Sequence, residues 1–213
     1  MDSSTLQDLR RQLREKFPQA HGLAVLPKAA GEVAEKPFGV YPFPLGAISE
    51  IVPSATDGGA ISPWIAGMLA EPAEAASFPR FVLVDGGDGF DPESHTAAAC
   101  AALLWVRCRK LAEVLKAADL IVRDGNIPFV MLDLCSLPAA SLRAIPASAW
   151  WRLKLLCETG TCRLVVLCPT PLVPCASLRL VLTVHLTLED FEHPRQRILQ
   201  RLGARTSLLR HVH

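Results

Sequence analysis

Short, almost purely apolar runs alternate along the chain with segments whose apolar positions recur every three or four residues. The runs cover residues 47–52, 81–84, 103–108, 129–134, 163–168 and 178–186, and each predicts a strand. Near-continuous examples such as Phe81-Val82-Leu83-Val84 and Phe129-Val130-Met131-Leu132 predict a sheet covered on both faces. Residues 61–70, 93–100, 109–122, 147–158 and 189–202 predict helices. In the clearest of them Leu111, Val114, Leu115 and Ala118 share one face, and Asp124-Gly125-Asn126 is its stop signal. Pro63 is tolerated because it falls in the first turn of its helix. Strands separated by helices of this length predict crossover units and a mainly parallel sheet.

The two ends read differently. Residues 4–16 predict an amphipathic helix, with Ser4 and Gln7 at capping-box spacing and Leu6, Leu9 and Leu13 on one face. Phe17-Pro18 stops it, and residues 18–45, with Pro18, Pro27, Pro37, Pro42 and Pro44, read as an arm. After the predicted helix 189–202 comes a basic tail, with no acid beyond Glu192. The organisation expected is therefore an N-terminal helix and proline-rich arm (1–43), an α/β core (44–188) and a basic C-terminal helix and tail (189–213).

Composition narrows the class. A chain of 213 residues that is 50% hydrophobic and 20% charged can bury one domain core and is not disordered overall. Lys plus Arg total 22 against 21 Asp plus Glu, and a net charge of +1 excludes a strongly basic nucleic-acid binder. The longest uncharged stretch, residues 164–178, contains Pro169, Pro171 and Pro174 and does not suit a membrane span. The N-terminus shows no basic segment followed by an apolar one, so no signal peptide is expected. Seven cysteines at irregular spacing point to reduced thiols in a cytoplasmic protein. Cys157, Cys162, Cys168 and Cys175 lack the tight paired spacing of zinc sites, and buried thiols are the simpler reading. Nothing in the sequence sets His95 or His185 beside a thiol.

Ligands in open α/β sheets bind beyond the carboxyl ends of the strands. The loop after the first core strand, leading into the helix at 61, has the strand–loop–helix context of a phosphate-binding loop. Such a loop needs Gly-x-x-x-x-Gly-Lys-Ser/Thr. Here Thr56-Asp57-Gly58-Gly59-Ala60 keeps glycines, but Gly59 or Ala60 stands where the lysine belongs. No lysine occurs between Lys36 and Lys110, and Asp57 would repel a triphosphate. Asp133 ends an apolar strand and reads either as a magnesium-linked carboxylate or as a structural aspartate bonded to backbone N–H groups. Asp85, Asp88 and Asp91 share a loop with three glycines, which reads as a cation site or as a solvated turn.

These segments carry a family resemblance. Pro44-Leu45-Gly46-Ala47-Ile48-Ser49-Glu50-Ile51 resembles the stretch entering the phosphate loop of RecA-type recombinases. Phe81 to Pro92 is similar to the second RecA core strand and its acidic loop, in which the family's catalytic glutamate would fall at Gly87. Gly125 to Asp133 resembles the Walker B strand, with Asp133 at the magnesium-associated position, and Ala176 to Leu182 resembles a late RecA strand. Leu104-Trp105-Val106-Arg107-Cys108 looks like a stretch of the ImuA proteins, although Cys108 stands where proline is the rule and the second Trp of that stretch is absent. Trp150-Trp151-Arg152-Leu153-Lys154-Leu155 also fits an ImuA helix.

The resemblance implies an α/β fold: a RecA-like core, a mainly parallel β-sheet flanked by helices and a degenerate P-loop, with the N-terminal arm and C-terminal helix added. It implies a protein that is not an enzyme, binds neither ATP nor magnesium, and holds no metal. Its role would be that of a scaffold or regulator in SOS-induced error-prone translesion synthesis. Partners implied are an ImuB-type polymerase paralogue, RecA, and an error-prone polymerase III alpha-type subunit. DNA binding would be weak or indirect, because Pro169 to Cys175, at the position of a RecA DNA loop, is uncharged. Localisation would be cytoplasmic, at the nucleoid when engaged. Two other readings stand beside it: a SulA-like inhibitor of a cell-division GTPase, and an ATPase with an atypical phosphate loop. Candidate partner contacts are Trp150 and Trp151, of which a helix can bury one, and the C-terminal residues Arg195, Arg197, Arg201, Leu202 and Arg205. A solvated helix end accounts for those arginines equally well.

Overall fold

A computed structural model describes residues 36–37, 43–54, 60–70, 81–160, 162–184, 189 and 202–209. In chain order the elements are β1 (Lys36–Pro37), β2 (Ala47–Pro53), α1 (Ile61–Ala70), β3 (Phe81–Asp85), a 3₁₀ turn (Pro92–Ser94), α2 (Ala97–Ala101) and β4 (Leu103–Arg107). There follow α3 (Leu111–Asp124), β5 (Phe129–Asp133), α4 (Ala139–Arg143), α5 (Ala147–Gly160), β6 (Arg163–Leu167), β7 (Leu178–Val184) and β8 (Leu202–Leu209). The strands form one eight-stranded sheet in the order β1-β8-β7-β2-β6-β5-β3-β4. The pairs from β7 through β4 are parallel, and β8 runs antiparallel to both β7 and β1. The described residues thus build an α/β fold with a mixed, mostly parallel sheet flanked by helices.

The apolar runs are the interior strands because both faces of the sheet are covered. On one face Ile48, Val82, Val84, Val130, Leu132, Leu164 and Val166 pack under α3 and α5. Each helix supplies a stripe at helical spacing: Val114, Ala118 and Val122 from α3, and Trp150, Leu153 and Cys157 from α5. On the other face Ile51, Leu83, Met131, Val165 and Leu167 meet Ile61, Trp64, Ile65 and Leu69 of α1. Trp64 is also packed edge-on against Phe43, at 6.0 Å between ring centroids. The adjacent tryptophans separate as helix geometry requires: Trp150 is 1% exposed and Trp151 44%. Trp150 is therefore core and not a partner contact.

Several boundaries differ from the sequence-based expectation, for local reasons. Helix α3 starts at Leu111 because the Glu113 carboxylate folds back to accept the backbone N–H groups of Arg109 (2.9 Å) and Lys110 (3.3 Å). It ends at Gly125, which takes φ 71°. The predicted helix at 93–100 divides into the 3₁₀ turn and α2, each opened by its own side-chain cap, Asp91 and Thr96. The larger correction is at the C-terminus. Residues read as the end of a helix and a tail contain β8, in which Leu202 is buried and Arg205 lies opposite Val181 of β7. Leu202 is a core residue, not a docking residue. β1, inside the predicted arm, pairs with β8. The predicted helix 4–16, most of the arm, most of the helix 189–202, and Arg195, Arg197 and Arg201 lie outside the described residues.

One polar interaction sits within the core. Glu50, at the centre of β2, is fully buried. Its carboxylate accepts the backbone N–H groups of Leu172 (2.5 Å) and Val173 (2.9 Å) and the Nε–H of Arg179 on the neighbouring β7. Arg179 also donates to the Val173 carbonyl, at 3.2 Å. The proline-rich connection from β6 to β7 is thereby tied down from below. Removing one partner of a buried ion pair strands the other charge. Glu50→Ala is expected to cost about 3–5 kcal/mol in chemical denaturation. The double variant Glu50→Leu/Arg179→Met is expected to recover most of that loss. Trp151→Ala should stay within about 0.5 kcal/mol.

Candidate functional site

The strand ends that can form a site are those of β2, β3 and β5. β3 and β5 are neighbours, with Asp85 opposite Asp133 at their carboxyl ends. The three aspartates of the loop after β3 have three separate structural tasks. Asp85 is 1% exposed and collects four donors: the backbone N–H groups of Gly87 (3.2 Å), Gly89 (3.0 Å) and Phe90 (3.0 Å), and the indole N–H of Trp105 (3.2 Å). Asp88, at φ 56°, forms a two-pronged pair with Arg107, at 2.6 and 2.5 Å. That guanidinium lowers the Asp88 pKa and also lies 4.7 Å over the Trp105 ring. Asp91 caps the 3₁₀ turn, accepting from the Glu93 N–H (3.1 Å) and the Ser94 hydroxyl. Trp105 and Arg107 are two apart on β4, hence on one face, and both grip this loop. The backbone joins in: the Cys108 N–H donates to the Asp85 carbonyl at 2.9 Å.

The loop is also fastened to the end of β5. The Gly86 N–H donates to the Asp133 carbonyl at 2.9 Å. A Cβ on Gly86 would lie 2.7 Å from that carbonyl oxygen, and one on Gly87 would lie 2.2 Å from the Cβ of Ser136. Position 87 therefore has no room for a side chain while the loop keeps this form.

Asp133 is half-buried and accepts the backbone N–H of Cys135 at 2.9 Å. Burial pushes its pKa up, the Cys135 N–H opposes this, and the neighbouring Asp85 charge raises it further. Among the described residues no ion pair to Asp133 forms. Beside it opens a cleft of about 210 Å³. One wall is the start of α1, with Ile61, Ser62 and Ile65; facing it are Phe90, Asp91 and His95; Asp133, Cys135 and Ser136 also line it. His95 stacks on Phe90 at 4.9 Å, and Trp105 meets the same ring edge-on at 5.3 Å.

Of the residues read as a degenerate phosphate loop, Ala60 is buried at the entrance to α1, whereas Thr56, Asp57, Gly58 and Gly59 lie outside the described residues. No group of three or more His, Cys, Asp or Glu side chains able to hold a metal occurs among the described residues. All seven cysteines are free, and five are buried. Burial raises the thiol pKa of Cys108, Cys135 and Cys168. No described helix is long and apolar enough to cross a membrane.

Sequence reading missed Glu50. Its signal was available: one acid inside the apolar run of β2 and one arginine inside that of β7. A charge in such a run needs a buried partner.

No protein-family profile matches the chain, and no curated protein matches it in sequence. Among solved structures it is similar to the RadB recombinase, at 12% identity and a TM-score of 0.49, over 68% of this chain and 78% of that one.

Two outcomes follow at this edge of the sheet. Gly87→Ala is expected to destabilise by about 1–3 kcal/mol, as overpacking does, measured by thermal or chemical denaturation. For Asp133 the folded-state pKa lies above the unfolded value, so its contribution is intact at low pH and is lost as pH rises through the folded value. Asp133→Asn is therefore expected to raise the melting temperature at pH 7. That gain should fade as the buffer approaches the ordinary aspartate pKa of about 3.9. Destabilisation at pH 7 would contradict this reading.

Proposed function

We propose that this protein is a RecA-like, non-catalytic scaffold or regulator of the ImuA kind, acting in error-prone translesion synthesis through protein–protein contacts. The observation that carries the non-catalytic part is Gly87. The acidic loop packs so closely on Ser136 that a side chain at position 87 would clash in this form, which supports a loop without a water-activating carboxylate. The phosphate loop adds to this, since it contains no lysine. The RecA-like part is supported by where the resembling segments fall. They occupy β2, β3, β5 and β7 of one sheet, and the Walker-B-like Asp133 sits in register with Asp85. The ImuA-like part rests on the Trp105–Arg107 and Trp150–Leu155 segments. In the first, tryptophan and arginine bond the aspartates of the acidic loop.

The exposed side of α5 offers a contact surface. Trp151 is 44% and Leu155 60% exposed, one helical turn apart. Tryptophan is enriched among residues that dominate interface energetics. Partners in this reading are an ImuB-type polymerase paralogue, with RecA and a polymerase III alpha-type subunit in the same assembly, at the nucleoid of the cytoplasm. DNA contact would be indirect, because the β6–β7 connection is held onto Glu50 and carries no charge.

Calorimetry of the purified protein with millimolar magnesium–ATP is expected to show no heat and no thermal stabilisation. Pull-down by an ImuB-type partner is expected to weaken at least about tenfold with Trp151→Ala, the scale of a hot-spot truncation. Micromolar ATP binding would replace the scaffold by a nucleotide-dependent switch. Retention by a cell-division GTPase, with none by the polymerase paralogue, would favour the SulA-like role.

A further inference from the structure

The cleft beside Asp133 has the shape and charge of a slot for a cation carried on an aliphatic stem. Its volume, about 210 Å³, is below the roughly 300–1,000 Å³ of pockets that take drug-sized ligands. That is the scale of a single side chain. Ile61 and Ile65, both buried, make one wall apolar, and the Phe90 ring makes the opposite wall aromatic. Such walls suit a methylene chain.

The polar groups decide the sign of the ligand. Among the described residues neither lysine nor arginine lines the cleft; Asp133 and Asp91 do, with the His95 imidazole stacked on Phe90. These two carboxylates repel an anion and attract a cation. Asp91 is engaged as a cap, so Asp133 is the carboxylate left to bind a ligand. The Cys135 N–H donates to Asp133 at 2.9 Å, the Cys135 thiol bonds it as well, and among the described residues no ion pair to it forms. Half-buried, and next to Asp85, its ionised form is costly until a positive charge arrives. A bare metal ion would find too few ligands, since no described trio of metal-binding side chains exists here. An organic cation needs only one carboxylate, two apolar walls and hydroxyls such as those of Ser62 and Ser136 at the rim.

We propose that this cleft receives an alkyl guanidinium or alkylammonium group, its charged head on the Asp133 carboxylate and its stem between Ile61, Ile65 and Phe90. The group would come either from an arginine or lysine side chain of a bound protein or from a free polyamine. The proposal shares with the scaffold reading the absence of a nucleotide at this edge, and it needs no particular partner.

The test is an amide NMR titration of the full chain with three small probes: N-acetyl-arginine amide, spermidine, and the uncharged isostere N-acetyl-citrulline amide. The cations are expected to shift the Gly89, Phe90 and Cys135 amides, and the citrulline compound is not. Asp133→Asn is expected to weaken cation binding by about tenfold or more, the worth of a hydrogen bond to a charged group. That variant is expected to fold at least as well as the parent at pH 7, so lost binding is not lost structure. A tighter fit for the arginine compound than for spermidine assigns the slot to a protein side chain, and the reverse assigns it to a polyamine. Absent shifts with both cations, equal binding of the citrulline compound, or unchanged binding by Asp133→Asn would each overturn the proposal. Magnesium–ATP titrated alongside separates the two readings: shifts with ATP overturn the scaffold reading, and absent cation shifts overturn this one alone.

Discussion

Everything at the carboxyl edge of the sheet is arranged around one buried carboxylate. Asp85 ends an interior strand, where a bare charge would be expensive to bury, and it is tolerated because four N–H donors converge on it. Three of those donors are backbone N–H groups of its own loop, so the loop wraps around the side chain. The fourth is Trp105, which brings in β4 and with it Arg107 for Asp88. Once wrapped, the loop lies so near the β5 end that Gly86 and Gly87 have no space for side chains. The shape of the cleft follows from this, because Phe90, Asp91 and His95 are placed by the same wrap.

Glu50 does for β2 and β7 what Asp85 does for β3 and β4. Both are acids in apolar strands, and both are satisfied mainly by backbone N–H groups of a loop that then cannot move freely. The outcome is a sheet whose loops are held by internal carboxylates. In a nucleotide-dependent protein the analogous loops are held by phosphate and magnesium. Asp133 stands apart, because the fold buries it and pairs it with no described cation.

The exposed side of the molecule carries the complementary feature. Arg152 of α5 reaches Asp119 of α3, at 2.5 Å, so the two helices are linked at their outer rim as well as through the core. Trp151 and Leu155, both exposed, lie on the same helix as Arg152.

Periodicity and apolar runs were sufficient to locate β2 to β7, α1, α3 and α5, because each is a local pattern that only a strand or a helix can bury. The stop at Gly125 and the division between Trp150 and Trp151 were legible for the same reason: both are properties of a single helix. The pairing of Glu50 with Arg179, of Asp85 with Trp105 and of Asp88 with Arg107 was not, since those partners are separated by 129, 20 and 19 positions. They meet only because β7 lies beside β2 and β4 beside β3. β8 escaped notice because its mixed polar pattern, with Arg205 outward and Leu202 and Ala204 inward, becomes a strand signal only beside β7. The chain by itself therefore determined most of the interior strands and their covering helices, and the absence of a lysine from the loop after β2. The sheet order decided which charges are buried together, where a side chain has room, and that Asp133 faces a cleft, because these depend on distances between residues far apart in the chain.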